Sequence, residues 1–450
     1  METEQLYDLF RRCSGVSTDS RRIESGALFF ALKGDNFDGN AYAAAALEAG
    51  ASYAVVDDAE VYRNNCARYG ERLVQVENTL VALQQLAKFN RLKHKLPVIA
   101  ITGTNGKTTT KELVNAVLSV KYRTVCTEGN LNNHIGVPLT LLRIDDTTDV
   151  AVVEMGASAP GEIASLAELV CPSFGLITNV GRGHLLGFGS FEGVKKTKGE
   201  LYANLEKHKK IAFVNVDNPD LMEMLDRYPA LHIVPYGENN NGVRTDPVSQ
   251  SPFLKLFYPA PDAGSAVNGR DIVIQTKLIG RYNVDNVLAA LSVALYFDVP
   301  VAKAVTAIEE YTPSNNRSQL KKTERNTVVI DAYNANPASM KAAIENFAEL
   351  PFQGKNLILG DMLELGADSL SEHEKILSLA LATEAENLYL VGGEFEKACN
   401  AGRQAGNERI HLFENSRALR EYLEKTRPQG KCFLIKGSHG IRLENLPEVL

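Results

Sequence analysis

Residues 97–120 read PVIAITGTNGKTTTKELVNAVLSV, and no other stretch of the chain restricts its fold so narrowly. An apolar run, VIAIT (98–102), enters a glycine turn, and a helical pattern, KTTTKELVNAVLSV, leaves it. A strand that is apolar along its length is buried on both faces, so it belongs in a mostly parallel sheet flanked by helices. In the turn, backbone N–H groups converge at a helix N-terminus, which carries about half a positive charge and favours a phosphate. Lys107 would supply a point charge for terminal phosphates, and the Thr108 hydroxyl can reach a magnesium ion. The turn departs from the common G-x-x-x-x-G-K-[ST] pattern. Ile101 stands five positions before Gly106, and the first glycine is Gly103, so the loop is two residues shorter. The phosphate chemistry survives this, but the short loop argues against the GTPase and kinase versions. Gly103, Thr104, Asn105, Gly106, Lys107, Thr108 and Thr109 are the expected nucleotide contacts.

The same strand-and-helix alternation continues on both sides. Apolar runs at DVAVVEM (149–155), FGLITNV (174–180) and KIAFVNV (210–216) each precede turn residues or a helical pattern. Upstream, residues 26–58 read as a β-α-β unit, and a helix is predicted over 80–95 until Pro97 interrupts. That places a domain boundary near residue 95. Residues 237–270, rich in Gly, Asn, Pro and Ser, predict a long loop or an irregular hairpin, and 283–297 predict a helix. From TPSNNRS (312–318) a third unit begins, with strand-like runs TVVIDAY, NLILGD, NLYLVGG and KCFLIKGS. These runs end in polar residues, including Asp331, Asp361, Lys436 and Ser438, where open α/β sheets place their ligands. The expected fold is α/β: three consecutive domains at 1–95, 96–312 and 313–450. The central one is a P-loop ATPase domain with a mostly parallel sheet, and the last is Rossmann-like.

Bulk properties exclude several classes. A formal charge of −7 argues against a general nucleic-acid binder. No run approaches the ~18–20 apolar residues of a membrane span, and METEQLYDLF lacks the features of a secretory signal. Six cysteines without C-x-x-C spacing fit a reducing compartment better than a disulfide or zinc framework. A cytoplasmic, soluble, multi-domain protein is expected.

Several longer segments carry a resemblance. TGTNGKTTT, TEGNLNNHIGVPLTLL (127–142), VVEMGASAPGEI (152–163), ITNVGRGHLLGFGS (177–190), KTKGELY (196–202), NVDNVLAA (283–290), NNRSQ (315–319), IDAYNANPASM (330–340), LGDMLELG (359–366) and LIKGSHG (434–440) follow one another in order. Over nearly its full length the chain resembles the Mur ligase family, ATP-dependent amide-forming enzymes. The resemblance implies that ATP phosphorylates the C-terminal carboxylate of UDP-N-acetylmuramoyl-tripeptide. The amine of D-alanyl-D-alanine then attacks the acyl phosphate, and the product is a peptidoglycan precursor. A monomer is expected, with two Mg²⁺ ions.

Residue roles follow from residue type and from the resemblance together. Glu154 ends the strand AVVE, facing the crevice of an open sheet, and by resemblance it binds Mg²⁺ through a hard oxygen. By resemblance His184 ligates a second Mg²⁺. Lys198 lies in KKTKGE, which by itself reads as a solvated basic run. In the family this lysine is carbamylated by CO₂, which turns a cation into an anionic oxygen ligand and requires a neutral amine. Asn283 and Asn286 stand three apart on one helix face, and their amides suit an adenine edge, although Asn283 could equally cap the helix. Arg317 and Asp331 would reach the ATP phosphates and ribose, closing the site when the third domain docks. Tyr333, Asn334 and Asn336 in DAYNANP resemble nucleotide and dipeptide contacts, with Asp361, Lys436 and Ser438 as further substrate contacts. Ser20, Arg21 and Lys33 would hold the UDP pyrophosphate, and Asn130, Asn132 and Asn133 the muramoyl-peptide portion.

Two positions depart from the family pattern. Leu186 stands where a Glu is usual, which removes a carboxylate near the metal site, and His439 stands where an Arg is usual. Three other readings remain: a sibling ligase adding a single amino acid, a folate-type polyglutamyl ligase, or a catalytically impaired ATP-binding relative. Only Leu186 supports the last.

Overall fold

The computed structural model describes every residue except 35, 247–250, 260–270, 315, 403 and 405. Its first sheet has four parallel strands in the order Val16–Ser17, Leu28–Phe30, Tyr53–Val56, Leu73–Gln75. Strand side chains alternate between faces. Phe29 and Ala31 therefore pack with Ala43, Ala46 and Leu47 of the helix Ala43–Glu48, while Leu28 and Phe30 face the helix Thr79–Lys93.

That second helix begins where the Asn78 side chain accepts from the Val81 N–H at 2.9 Å, and it ends in Arg91 and Lys93, which complement its dipole. Its buried residues Ala82, Leu83, Leu86 and Ala87 belong to one continuous core. That core holds Leu28 and Phe30 on one side and Val98, Ala100, Ala151 and Val153 on the other. Polar contacts reinforce the junction. Asn90 donates to the Leu141 and Ile144 carbonyls, and Arg91 to those of Val170 and Cys171.

The central sheet has six strands, all parallel: His232–Tyr236, Ile211–Asn215, Phe174–Ile177, Val98–Thr102, Val150–Glu154, Thr124–Cys126. Val98–Thr102 is buried throughout, as its apolar sequence requires. Ile99 and Ile101 face the helices Lys107–Ser119 and Val284–Tyr296, and Val98 and Ala100 face the core just described. The predicted loop or hairpin at 237–270 supplies, in its described part, two strands, Arg244–Thr245 and Phe253–Tyr258, which form a three-stranded antiparallel sheet with Ile272–Ile279 just beyond it. Residues 247–250 and 260–270 of that prediction lie outside the described residues, as do position 35 in ALKGDNFDGN and position 315 in NNRSQ.

The third sheet has the order Gln319–Lys322, Thr327–Ile330, Cys432–Lys436, Lys355–Gly360, Asn387–Val391, Ile410–Phe413, with only the first strand antiparallel. Its inner four strands are the predicted ones. The outer two are short or polar, as edges commonly are, and no apolar run announces them. Among the described residues no helix is long and apolar enough to cross a membrane.

Candidate active site

The phosphate loop sits at the carboxyl end of Val98–Thr102, in the middle of the central sheet. Two glycines are required there. Gly103 has φ +142, and a Cβ on it would collide with Thr178 Oγ1. Gly106 has φ +79, and a Cβ on it would lie 2.6 Å from Asn286 Oδ1. The neighbouring strand end clamps the loop: Asn105 N donates to Asn179 Oδ1 at 3.0 Å, and Thr178 Oγ1 donates to the Asn105 carbonyl at 2.6 Å. Thr178 and Asn179 went unassigned in the sequence. Their signal was a polar pair at the end of the apolar run FGLI. We predict that Gly103→Ala weakens ADP binding by roughly tenfold or more, since L residues are strained at that φ and the clamp must open. Calorimetric titration with ADP checks this, and an unchanged affinity would contradict it.

Lys107 begins the helix, and its Nζ donates to the carbonyls of Gly103 at 2.8 Å and Thr104 at 2.9 Å. The ammonium is thus folded over the loop at the place where phosphate oxygens would meet it. Burial pushes its pKa down to about 8, with Arg317 acting in the same direction and Glu154 opposing.

Beside it lie two buried oxygens without a partner, Thr108 Oγ1 and Glu154 Oε2. Glu154 is fully buried, and its other oxygen accepts from Asn132 Nδ2 at 2.7 Å. A buried carboxylate oxygen left unsatisfied is costly, and each of these hard oxygens is of the kind a divalent cation takes. The pair therefore fits Mg²⁺. Among the described residues no three His, Cys, Asp or Glu side chains form a metal cage.

The KKTKGE segment is not the solvated run its composition suggests. In the helix Phe191–Lys207, Lys196 is exposed, but Lys195 and Lys198, three residues apart, are both buried. Their environments are opposite. Lys195 pairs with Glu223 at 2.7 Å and Asp220 at 2.9 Å, which raise its pKa. Lys198 Nζ lies 5.5 Å from the centre of the Phe188 ring, and burial together with nearby Lys107 pushes it down to about 7. A substantial fraction of this amine is neutral near pH 7.

The remaining residues come from the third unit and enclose a cavity of about 1020 Å³ with those of the central unit and with Leu80 and Gln84 of the helix Thr79–Lys93. Arg317 stacks 3.8 Å above the Tyr333 ring, and His439 stacks on Tyr333 as well, at 5.9 Å between ring centres. Arg317 Nε is buried without a protein partner, as suits a group awaiting an anion. Asp331 Oδ2 accepts from Lys436 Nζ at 2.6 Å, and that lysine also reaches the Asn334 carbonyl at 3.2 Å. Asn336 Nδ2 donates to Asn105 Oδ1 at 2.8 Å, joining DAYNANP directly to the phosphate loop.

Several predicted contacts occupy other positions. Asn283 and Asn286 line the cavity, but Asn286 Oδ1 accepts from Thr110, its amide donates to Asn283, and Asn283 donates to the Ile279 carbonyl. They brace the phosphate-loop helix, and Asn283 makes no side-chain cap. Asp361 is outside the cavity lining: its two oxygens accept from the Glu394 and Phe395 amides at the start of the helix Gly393–Ala401. Ser438 is likewise turned inward, accepting from Leu363 N at 2.9 Å. Asn132 and Asn133 line the cavity and Asn130 does not. The Asn133 Oδ1 also accepts from Ile135 N at 3.1 Å and Gly136 N at 2.9 Å, just ahead of the helix Gly136–Leu141. Ser20, Arg21 and Lys33 lie away from it, with Arg21 paired to Asp19 at 2.8 Å and Lys33 to Asp57 at 3.3 Å.

The chain belongs to the Mur ligase family of ATP-dependent, amide-forming ligases. Three family models match in succession: the Mur ligase family catalytic domain over 12–91, the Mur ligase middle domain over 101–294 and the Mur ligase glutamate ligase domain over 316–439. Among individual proteins, the chain is 35% identical to the UDP-N-acetylmuramoyl-tripeptide–D-alanyl-D-alanine ligase of Bacillus subtilis, covering 96% of this chain and 92% of that one. It is 33% identical to the Escherichia coli ligase of the same description, at 97% and 93% coverage. The crystal structure of the MurF ligase of Thermotoga maritima in complex with ADP is similar at a TM-score of 0.81 and 25% identity, covering 98% of this chain and 97% of that chain. MurF from Acinetobacter baumannii gives 0.81 and 28%, at 99% and 97% coverage.

Proposed function

We propose that this chain joins D-alanyl-D-alanine to the C-terminal carboxylate of UDP-N-acetylmuramoyl-tripeptide, using ATP, in peptidoglycan precursor synthesis. A carboxylate oxygen attacks the γ-phosphorus of ATP and ADP leaves. The dipeptide amine then attacks the acyl carbon, loses a proton, and expels phosphate. Phosphoryl transfer is chiefly positioning and charge neutralisation, so the cationic residues dominate the site. Lys107 and Arg317 face the phosphates from the central and third units. The phosphate-loop amides hold the β-phosphate, and Tyr333 with Lys436 shapes the wall against which the dipeptide lies. Mg²⁺ held by Thr108 and Glu154, with His184 at a second ion, would neutralise charge building on the phosphates. Carbamylated Lys198 would add an anionic oxygen to that set. Ser20, Arg21 and Lys33 take the uridine diphosphate end, the pyrophosphate replacing the carboxylate partners of Arg21 and Lys33. The three domains divide the work at 1–95, 96–312 and 313–450. The chain acts as a monomer in the cytoplasm in this reading.

The observation that carries this reading is that one cavity unites the phosphate loop, Glu154 and DAYNANP. Docking of the third unit over the loop keeps water from the acyl phosphate. The test is phosphate release from ATP with UDP-N-acetylmuramoyl-tripeptide, comparing D-alanyl-D-alanine with single amino acids. Release is expected with the dipeptide alone. Release driven by a single amino acid would overturn the substrate assignment, and no substrate-dependent release would overturn the activity.

A further inference from the structure

We infer that Glu364 is a positioning residue: it orients the His184 ring for a divalent cation, and only while the third unit is docked. The inference rests on the reading of His184 as a metal ligand. His184 lies in the segment after the central strand Phe174–Ile177, and Glu364 lies 180 residues away in LGDMLELG. The two meet through His184 Nδ1 and Glu364 Oε2. A second contact runs alongside, from Leu186 N to the Glu364 carbonyl at 3.3 Å, and Gly366 packs against the Leu186 side chain. The departure at Leu186 leaves the His184 segment without its own acid, and Glu364 brings one from the other unit.

A carboxylate only accepts, so a neutral imidazole held in this contact carries its proton on Nδ1 and offers the Nε2 lone pair. That is the arrangement by which a hydrogen-bonded carboxylate readies a histidine for a metal. Both residues stand in left-handed backbone, at φ +53 and +64, which non-glycine residues keep only where the surroundings enforce it. The enforcement around Glu364 is visible. Met362 N donates to His373 Nε2 at 3.0 Å and Leu363 N to Ser438 Oγ at 2.9 Å, while Asp361 anchors the turn to the helix Gly393–Ala401. Asp361 and Ser438, expected to touch substrate, instead build the loop that carries Glu364.

The test uses the full chain with Mn²⁺ as the probe and a non-hydrolysable ATP analogue present, free Mn²⁺ being read by electron paramagnetic resonance. His184→Ala and Glu364→Ala are each expected to weaken Mn²⁺ binding by about tenfold. Glu364→Gln should fall between, since its amide oxygen still accepts, and it carries the comparison if the alanine variant does not fold. The double variant His184→Ala/Glu364→Ala should bind no more weakly than His184→Ala alone. Wild-type affinity in Glu364→Ala and Glu364→Gln, or a double variant whose loss is the product of the two single losses, overturns the inference while leaving His184 a ligand. Wild-type affinity in His184→Ala overturns the metal reading and this inference with it.

Discussion

Lys107→Ala is expected to lower kcat on the order of a thousandfold, about 4 kcal/mol of transition-state stabilisation, while the protein stays folded. The side chain makes no contribution to the core: its Nζ bonds only to the Gly103 and Thr104 carbonyls, at 2.8 and 2.9 Å. What disappears is the cation facing the phosphates as charge builds on them. Arg317 still lines the same cavity, which is why residual turnover is expected instead of none. Steady-state phosphate release, with circular dichroism as the folding control, reads the effect. A near-normal kcat would remove the phosphate loop from the chemistry.

The second large effect concerns Lys198. Its neutral amine can attack CO₂, forming an N–C bond and releasing one proton, and the product carries a negative charge. Because the folded-state pKa is about 7 against an ordinary 10.5, carbamate formation should rise steeply between pH 6 and 8. With ¹³C-labelled bicarbonate, a carbamate resonance is expected to grow over that window and to be missing in Lys198→Ala, whose activity should fall roughly a hundredfold or more. No resonance at pH 8, together with retained activity in Lys198→Ala, would exclude the modification. The same depression has a stability consequence. Between about pH 7 and 10.5 the unfolded lysine holds a proton that the folded one has released, so this group's contribution to stability increases with pH across that range.

The central half of the molecule was legible because burial leaves a plain record. Strands buried on both faces are uniformly apolar, and a glycine turn running into a helix has few alternatives. Lys107, Thr108 and Glu154 could be placed from that record. The fold's edges were less legible, since Gln319–Lys322 and Ile410–Phe413 pair on one side only and tolerate polar residues. Asp361 is ambiguous in sequence for a different reason. A polar residue at the carboxyl end of a strand can line the crevice or cap the next helix, and both uses look alike in sequence. Asn286 raised the same ambiguity, since its amide binds inside the fold. The meeting of His184 with Glu364 had no local signature at all, because it depends on how the third unit docks.

The helix Thr79–Lys93 has one more implication, for where the chain can be divided. The boundary that the sequence suggests lies near residue 95, and an expression fragment designed from it would stop there. Such a fragment would present Ala82, Leu83, Leu86 and Ala87 to water, together with the undersides of Leu28 and Phe30. The complementary fragment would bare Val98, Ala100, Ala151 and Val153. Each half would carry an adhesive face that the other half normally covers. A cut at that position splits one interior between two pieces, so the two pieces belong in one tube.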